Sequence, residues 1–330
     1  MKTMFDPVKI GPMMLKNRFV RSATWEMMAE ENGHLTAPLA AVYEQLAAHS
    51  VGLILTSSVY LTADGGSFPK QLGLYDESFL AEYRTLMDSV HGHGARMVMQ
   101  INVNSTGGQD LSVDALTEEE IADIVKTFGD GAARAKRAGL DGVEIHAAHG
   151  FLLSRFLVPS QNHRTDAYGG SMENRMRIVL EVYDEVRRRT GDDFAVLAKV
   201  NAVDADDAEA CFAACQALCS ALDERGIDAI EVSGGADVTQ YDESQYRDYA
   251  AQLAAAVRAP VILVGKNRSL RTMDTLLSET EIGLFSLARP FVCQPELVDA
   301  WAQLPDEPAR CHSCGNCIGE EGLSCAINRK

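Results

Sequence analysis

The chain has 330 residues, 46% of them hydrophobic and 23% charged, which is enough apolar side chain for one large core. Its formal net charge of −17, from 30 basic and 47 acidic residues, argues against nucleic acid as a partner, since no Lys/Arg run offsets the acidity. No apolar run reaches the ~20 residues that cross a bilayer, and Asp6 and Pro7 interrupt the start where a secretory leader needs apolar side chains. Membrane insertion and export are not expected, and a cytoplasmic location is.

Taken in chain order, the segment from Val8 to Leu15 reads as a short hairpin. Eight short runs rich in Val, Ile and Leu follow: Phe19–Ser22, Gly52–Ser57, Met97–Ile101, Gly142–Ile145, Ala195–Val200, Ala229–Val232, Val261–Val264 and Gly283–Leu287. They show little alternation, which is how strands buried on both faces of a parallel sheet read. Stretches with helical spacing come after each: Pro38–His49, Glu77–His93, Glu118–Ala138, Met172–Arg189, Ala205–Arg225, Ser244–Val257, Leu270–Ser278 and Pro295–Leu304. The pattern predicts an α/β fold, a (β/α)8 TIM barrel over residues 1–305, with the hairpin capping its lower end. An open doubly wound sheet is the alternative, and the missing GxGxxG after the first strand counts against it. Two long connections, 102–117 and 147–171, leave the third and fourth strands on the side where barrels carry their sites.

Seven of the eight cysteines fall into two groups. Cys211, Cys215 and Cys219 recur every fourth residue on one helix face and read as packing. Cys311, Cys314, Cys317 and Cys325 crowd a tail, residues 306–330, where a metal or cluster site is expected rather than disulfides.

The most informative stretch is Asp141-Gly142-Val143-Glu144-Ile145-His146-Ala147-Ala148-His149-Gly150-Phe151-Leu152-Leu153. It resumes as Asn162-His163-Arg164-Thr165-Asp166-Ala167-Tyr168-Gly169-Gly170-Ser171, then Glu173-Asn174-Arg175. His146 and His149 fall just past a buried strand, where side chains project into the barrel mouth. Two imidazoles at this spacing can hold a partly negative oxygen, ligate a metal or simply pack, and the spacing does not choose.

Here the chain resembles the Old Yellow Enzyme family of FMN-dependent oxidoreductases, from Leu15-Lys16-Asn17-Arg18 to Ala288-Arg289-Pro290. The resemblance implies that His146 and His149 hydrogen-bond a substrate carbonyl or nitro oxygen above the flavin. It implies that Arg164, Asp166, Glu173, Asn174 and Arg175 brace the loop. It places Ala23, Thr24 and Ser58 at the isoalloxazine edge, Gln100 on the pyrimidine ring and Lys199 beside N1 and O2. A fixed positive charge there stabilises reduced flavin, and a lysine without a charge partner in a strand core would be costly. Gly265, Asn267, Ala288 and Arg289 are implied to hold the phosphate.

Three departures from the family pattern bear on chemistry. Phe151 stands where the family has a proton-donating Tyr, which leaves water or Tyr60, Tyr241 or Tyr246 as the proton source. Ile101-Asn102-Val103-Asn104-Ser105 replaces the usual sequence after Gln100, and Trp25 sits where smaller residues are common. The third departure is in the tail. Its CxxCxxC…C form resembles the iron–sulfur branch of the family, so a 4Fe–4S cluster is implied at Cys311, Cys314, Cys317 and Cys325, but the last gap is shorter than that branch uses. Zn²⁺ is the alternative occupant of the same thiolates.

The expected function is an ene-reductase that passes hydride from flavin N5 to an activated alkene held on His146 and His149. The alternative is a flavin dehydrogenase that sends electrons through the cluster to an external carrier. From other classes come a metal-dependent barrel hydrolase and a non-catalytic flavin-binding or electron-storing protein. The expected partner is a small molecule, with NAD(P)H or another donor as electron source, and a homo-oligomer is left open.

Overall fold

A computed structural model describes residues 2–106, 109–204, 208–235, 238 and 240–329. The eight apolar runs become eight parallel strands: β1 Phe19–Arg21, β2 Leu53–Leu55, β3 Arg96–Asn102, β4 Gly142–Ala147, β5 Ala195–Val203, β6 Ala229–Gly234, β7 Val261–Leu263 and β8 Leu284–Leu287. Each pairs with its neighbour in chain order, and Phe285 opposite Phe19 closes the ring between β8 and β1. The fold is a (β/α)8 barrel.

Helices return the chain between strands: α1 Ala37–Ala48, α2 Leu80–Gly92, α3 Glu118–Arg137, α4 Leu152–Leu157, α5 Met172–Thr190, α6 Ala208–Glu224, α7 Arg247–Ala256, α8 Leu270–Glu279, α9 Arg289–Cys293 and α10 Leu297–Gln303. The expected start of the sixth helix at Ala205 lies outside the described residues. α3 shows why its boundaries were readable. Thr117 caps it reciprocally with Glu120, acidic residues fill the first turn, and Arg134, Lys136 and Arg137 fill the last. α4 and α9 were not anticipated, because elements of six and five residues carry no readable period. Cys215 and Cys219 are buried on α6 with their sulfurs 3.9 Å apart, as a packing role requires.

The barrel interior is layered. Its lower part is apolar, built from Val20, Leu53, Leu55, Val98, Ala195, Leu197, Ala229, Ile262 and Leu284. The hairpin of Val8–Ile10 against Met13–Leu15 closes this end by adding Ile10, Met13 and Leu15 to the same cluster. At the other end the tail lies on the rim. Leu323 N–H donates to Glu26 O at 2.7 Å, and the Asn328 side chain donates to Cys293 O at 2.7 Å. Gly322 turns there with φ +107°, and a Cβ would lie 2.7 Å from Met27 O, so this contact admits only glycine.

The hairpin plug gives the first test. Leu15→Ala, at a fully buried position, is expected to lower unfolding free energy by about 2–5 kcal/mol in urea titration. A loss typical of surface substitutions would mean that the plug does not seal the core.

Candidate functional site

Two residues further along six of the strands, the inward positions turn polar. Ser22, Gln100, Glu144, Lys199, Glu231 and Ser286 are all buried. In the strand register Gln100 stands opposite Glu144, and Lys199 opposite both His146 and Glu231. Lys199 Nζ lies 2.7 Å from Glu231 Oε2 and donates to Ser22 Oγ at 3.1 Å, while Ser22 Oγ donates to Glu231 Oε1 at 3.0 Å. Gln100 Nε2 donates to Glu144 Oε2 at 2.6 Å. The charge partner that a lysine in a strand core needs is Glu231, a pairing that the sequence did not identify. The signal was present as a lone Glu inside each of two apolar runs, at 144 and 231.

Above this layer opens a cleft of roughly 530 Å³, lined by Ala23, Thr24, Ser58, Gln100, Lys199, His146, His149 and Phe151. The residues expected at the ring and at the substrate are thus brought to one place. Trp25, Phe68 and Gln71 also line it, the last two unanticipated. Trp25 meets Phe68 at 5.5 Å between ring centroids, Phe68 meets Phe151 at 6.0 Å, and Phe151 meets His146 at 4.5 Å, which gives one aromatic wall. Gln71 pins the loop that carries Phe68: its amide donates to Ser58 O and its oxygen accepts from the Ser67 and Phe68 N–H groups.

The two imidazoles stand perpendicular, 5.3 Å apart. His149 adopts φ +58°, held by its N–H to Asn201 Oδ1 at 3.2 Å and by Nε2 against Ser233 Oγ at 2.8 Å. Burial, then the neighbouring His149 and Lys199, pull the His146 pKa well below the usual imidazole value. Burial and Lys199 pull His149 down to about 3. Both rings are neutral at pH 7, so each offers one N–H donor, and the partner of the second nitrogen sets the tautomer. Among the described residues no three His, Cys, Asp or Glu side chains converge as a metal-ligating set, here or in the tail.

The tyrosines weighed as proton donors lie elsewhere. Tyr60 stacks on Tyr75, and burial raises its pKa to about 12. Tyr246 donates to Gly234 O, and Tyr241 donates to Asp248 beneath the Arg247 guanidinium. None of the three lines the cleft.

A second rim cavity collects Gly265, Lys266, Asn267, Arg268, Ala288 and Arg289, together with Cys311 and Ser313 from the tail. The Asn267 side chain is committed to bracing: its amide donates to Leu263 O and Ser286 O, and its oxygen accepts from Ser244 Oγ. Arg289 reaches Ser313 O at 3.4 Å. In the tail, Cys311 and Cys325 are buried together with Cys293 of α9, a cysteine the tail pattern did not include, while Cys317 is half-buried and Cys314 exposed. Burial and the Cys325 thiol push Cys293 up to about 12.

The cleft fits FMN on its own evidence. Ser58 Oγ and His146 Nδ1 are buried on its lining without partners, as is Ser286 Oγ at the second cavity. Such polar atoms are costly unless a ligand satisfies them. The tail thiols suit an iron–sulfur or zinc centre in donor type, but they do not converge as a ligand set.

The chain is 30% identical over 360 residues to the metal reductase of Desulforamulus reducens, covering 99% of this chain and 54% of that protein. It is 28% identical over 385 residues to the cinnamate reductase of Clostridium sporogenes, covering 99% of this chain and 57% of that one. The chain thus spans about half the length of these curated relatives. An old yellow enzyme homologue from Zymomonas mobilis superposes with a TM-score of 0.80 at 24% identity, over 93% of this chain and 94% of that one. The NADH:flavin oxidoreductase / NADH oxidase family model matches residues 3–115 and 104–306. With that match across the whole barrel, the chain belongs to this family of FMN-dependent oxidoreductases of Old Yellow Enzyme type.

Proposed function

We propose that the cleft holds FMN with Gln100 and Lys199 at the pyrimidine edge, and that the enzyme reduces an activated alkene whose oxygen rests on His146 and His149. FMN supplies hydride chemistry there. Lys199 presents a fixed charge to the ring, Ala23, Thr24 and Ser58 border it, and Arg289 with the backbone of Gly265, Asn267 and Ala288 takes the phosphate. The two histidines donate N–H groups to the substrate carbonyl oxygen, and neutral donors polarise it without competing as acids. The observation that carries this reading is the pair of neutral, perpendicular imidazoles over a buried ammonium and carboxamide. Similarity to a cinnamate reductase supports an α,β-unsaturated acid or carbonyl as substrate class.

The tail belongs to the same proposal as a question of composition: a 4Fe–4S cluster, or Zn²⁺, on Cys311, Cys314, Cys317 and Cys325. Its place beside the second cavity, with Cys311 on the lining, is what recommends it.

Three outcomes test this reading. Protein purified anaerobically carries FMN, and Lys199→Met abolishes binding or lowers the retained flavin at least tenfold. Full retention in the variant would remove Lys199 from the ring's edge. Reoxidation of the reduced enzyme by a cinnamate-type acid or an enone shows no inflection near pH 6.5, because His149 protonates only near 3. A rate that falls as pH drops through 6.5 would mean that an imidazole titrates in the working range. Iron and acid-labile sulfide, or zinc, disappear in Cys311→Ser/Cys325→Ser while FMN stays, and metal unchanged by that double substitution would take the tail out of the proposal.

A further inference from the structure

Beneath the cleft the barrel encloses one ammonium and two carboxyl groups. Lys199, Glu231 and Glu144 are exposed by 3%, 0% and 0%. Lys199 and Glu231 neutralise each other at 2.7 Å, and Ser22 ties both together. That leaves Glu144, whose Oε2 lies 2.6 Å from the Gln100 amide nitrogen and whose Oε1 has no partner at all. The groups that face it are Gln100 from β3, Lys199 from β5 and Glu231 from β6, with the neutral His146 and His149 above. A site closed to water does not carry a surplus negative charge cheaply, so one proton must stay on the layer. It belongs on the carboxyl that the ammonium does not pair.

We propose that Glu144 rests as the neutral acid and, through its contact with Gln100, selects which end of that carboxamide is turned to the cleft, which makes it a positioning residue for the bound ring. The physical steps are short. A protonated carboxyl donates to the amide oxygen of Gln100 and leaves the NH₂ facing the cleft. An ionised one accepts from the NH₂, the orientation in which Gln100 Nε2 meets Glu144 Oε2 at 2.6 Å, and turns the oxygen there instead. Oxygen and nitrogen of a carboxamide exchange places by a rotation that leaves the backbone still. The donor end suits the carbonyl oxygens of a flavin's pyrimidine ring and the negative charge the ring gains on reduction, whereas the acceptor end opposes that charge. Burial, then the Glu231 charge, push the Glu144 carboxyl up to about 8, with Lys199 pulling the other way. The effect on the ring rests on the flavin reading. The proton itself rests on charge balance alone.

The sign of the stability effect follows. Folded Glu144 keeps its proton to about 8, and the unfolded chain releases it near 4.5. The folded state therefore binds the extra proton between those values, and the stability it contributes is lost as pH rises through the window.

Glu144→Gln, isosteric and unable to ionise, tests this with two kinds of measurement. In protein without added flavin, the infrared carbonyl band of a buried carboxylic acid is expected near neutral pH and is lost in the variant. The melting temperature of the variant relative to wild type should rise as pH goes from 4.5 to 8. An acid band that survives Glu144→Gln, or a melting difference flat across that range, overturns the proposal. With FMN bound, the spectrum and midpoint potential of the flavin in wild type should show an inflection near 8 that is missing in Glu144→Gln. Gln100→Met should also lose the inflection while it keeps the acid band. An inflection that persists in both variants overturns the positioning role. Protein that shows the band but takes up no FMN supports the buried acid and sinks the flavin reading, so the two failures are told apart.

Discussion

The buried ion pair between Lys199 and Glu231 is the constraint on which the upper half of the barrel depends. A side chain that brings a positive charge into a parallel barrel must meet an opposite charge inside, because removing both from water is repaid only by close, fully bonded contact. The strand register supplies it, since Lys199 and Glu231 are cross-strand partners, and Ser22, just past β1 and three strands from Glu231, completes the contact across the barrel. Once that pair exists, the interior cannot be apolar to the rim. The lower layer of Val, Leu, Ile and Ala gives way within two residues to the buried polar side chains Ser22, Gln100, Glu144 and Ser286.

The same charge reaches the histidines above. Lys199 is in register with His146, and together with burial it holds both imidazoles neutral. A pair of neutral N–H donors is a different instrument from a pair of imidazolium ions: it polarises an oxygen without neutralising it. Burial is thus the larger cause at the ceiling of the cleft and Lys199 adds to it, while on the floor its partner Glu231 offsets the charge it presents.

The fold was largely legible because strands buried on both faces announce themselves as unbroken apolar runs, and all eight fall where Phe19–Ser22 to Gly283–Leu287 place them. Gln100, Lys199, His146 and His149 were legible by position, since each follows or ends such a run. What stayed hidden was pairing. Glu144 and Glu231 were visible as charges in apolar runs, yet nothing local says that one meets Gln100 and the other Lys199, 44 and 32 residues away. Cys293 carried no sequence signal, because its companions Cys311 and Cys325 come later in the chain and meet it only through the tail's return to the rim. The tyrosine candidates failed for the converse reason. Sequence places them after the right strands, while only packing shows that Tyr60, Tyr241 and Tyr246 spend their rings and hydroxyls elsewhere.

That failure has a chemical consequence for the proposed reaction. Hydride delivery to an alkene leaves a carbon that needs a proton, and Phe151 has none to give. Neutral imidazoles with pKa values held down are hydrogen-bond donors, and they are too weakly acidic in that form to protonate carbon. Glu144 lies below the ring's proposed plane of contact, bonded to Gln100 and walled in by the β4 and β5 strands. With these described residues set aside, solvent is the source left to the proposed reaction, and Trp25, Phe68 and Phe151 line the cleft it would enter. Phe68, 40% exposed at the edge of that wall, is its most exposed part, with Trp25 and Phe151 partly buried. Under the proposed reading, the substrates that suit such a cleft are those whose carbanion is stabilised by a strongly polarised oxygen long enough for water to arrive, and the histidine pair would supply that polarisation.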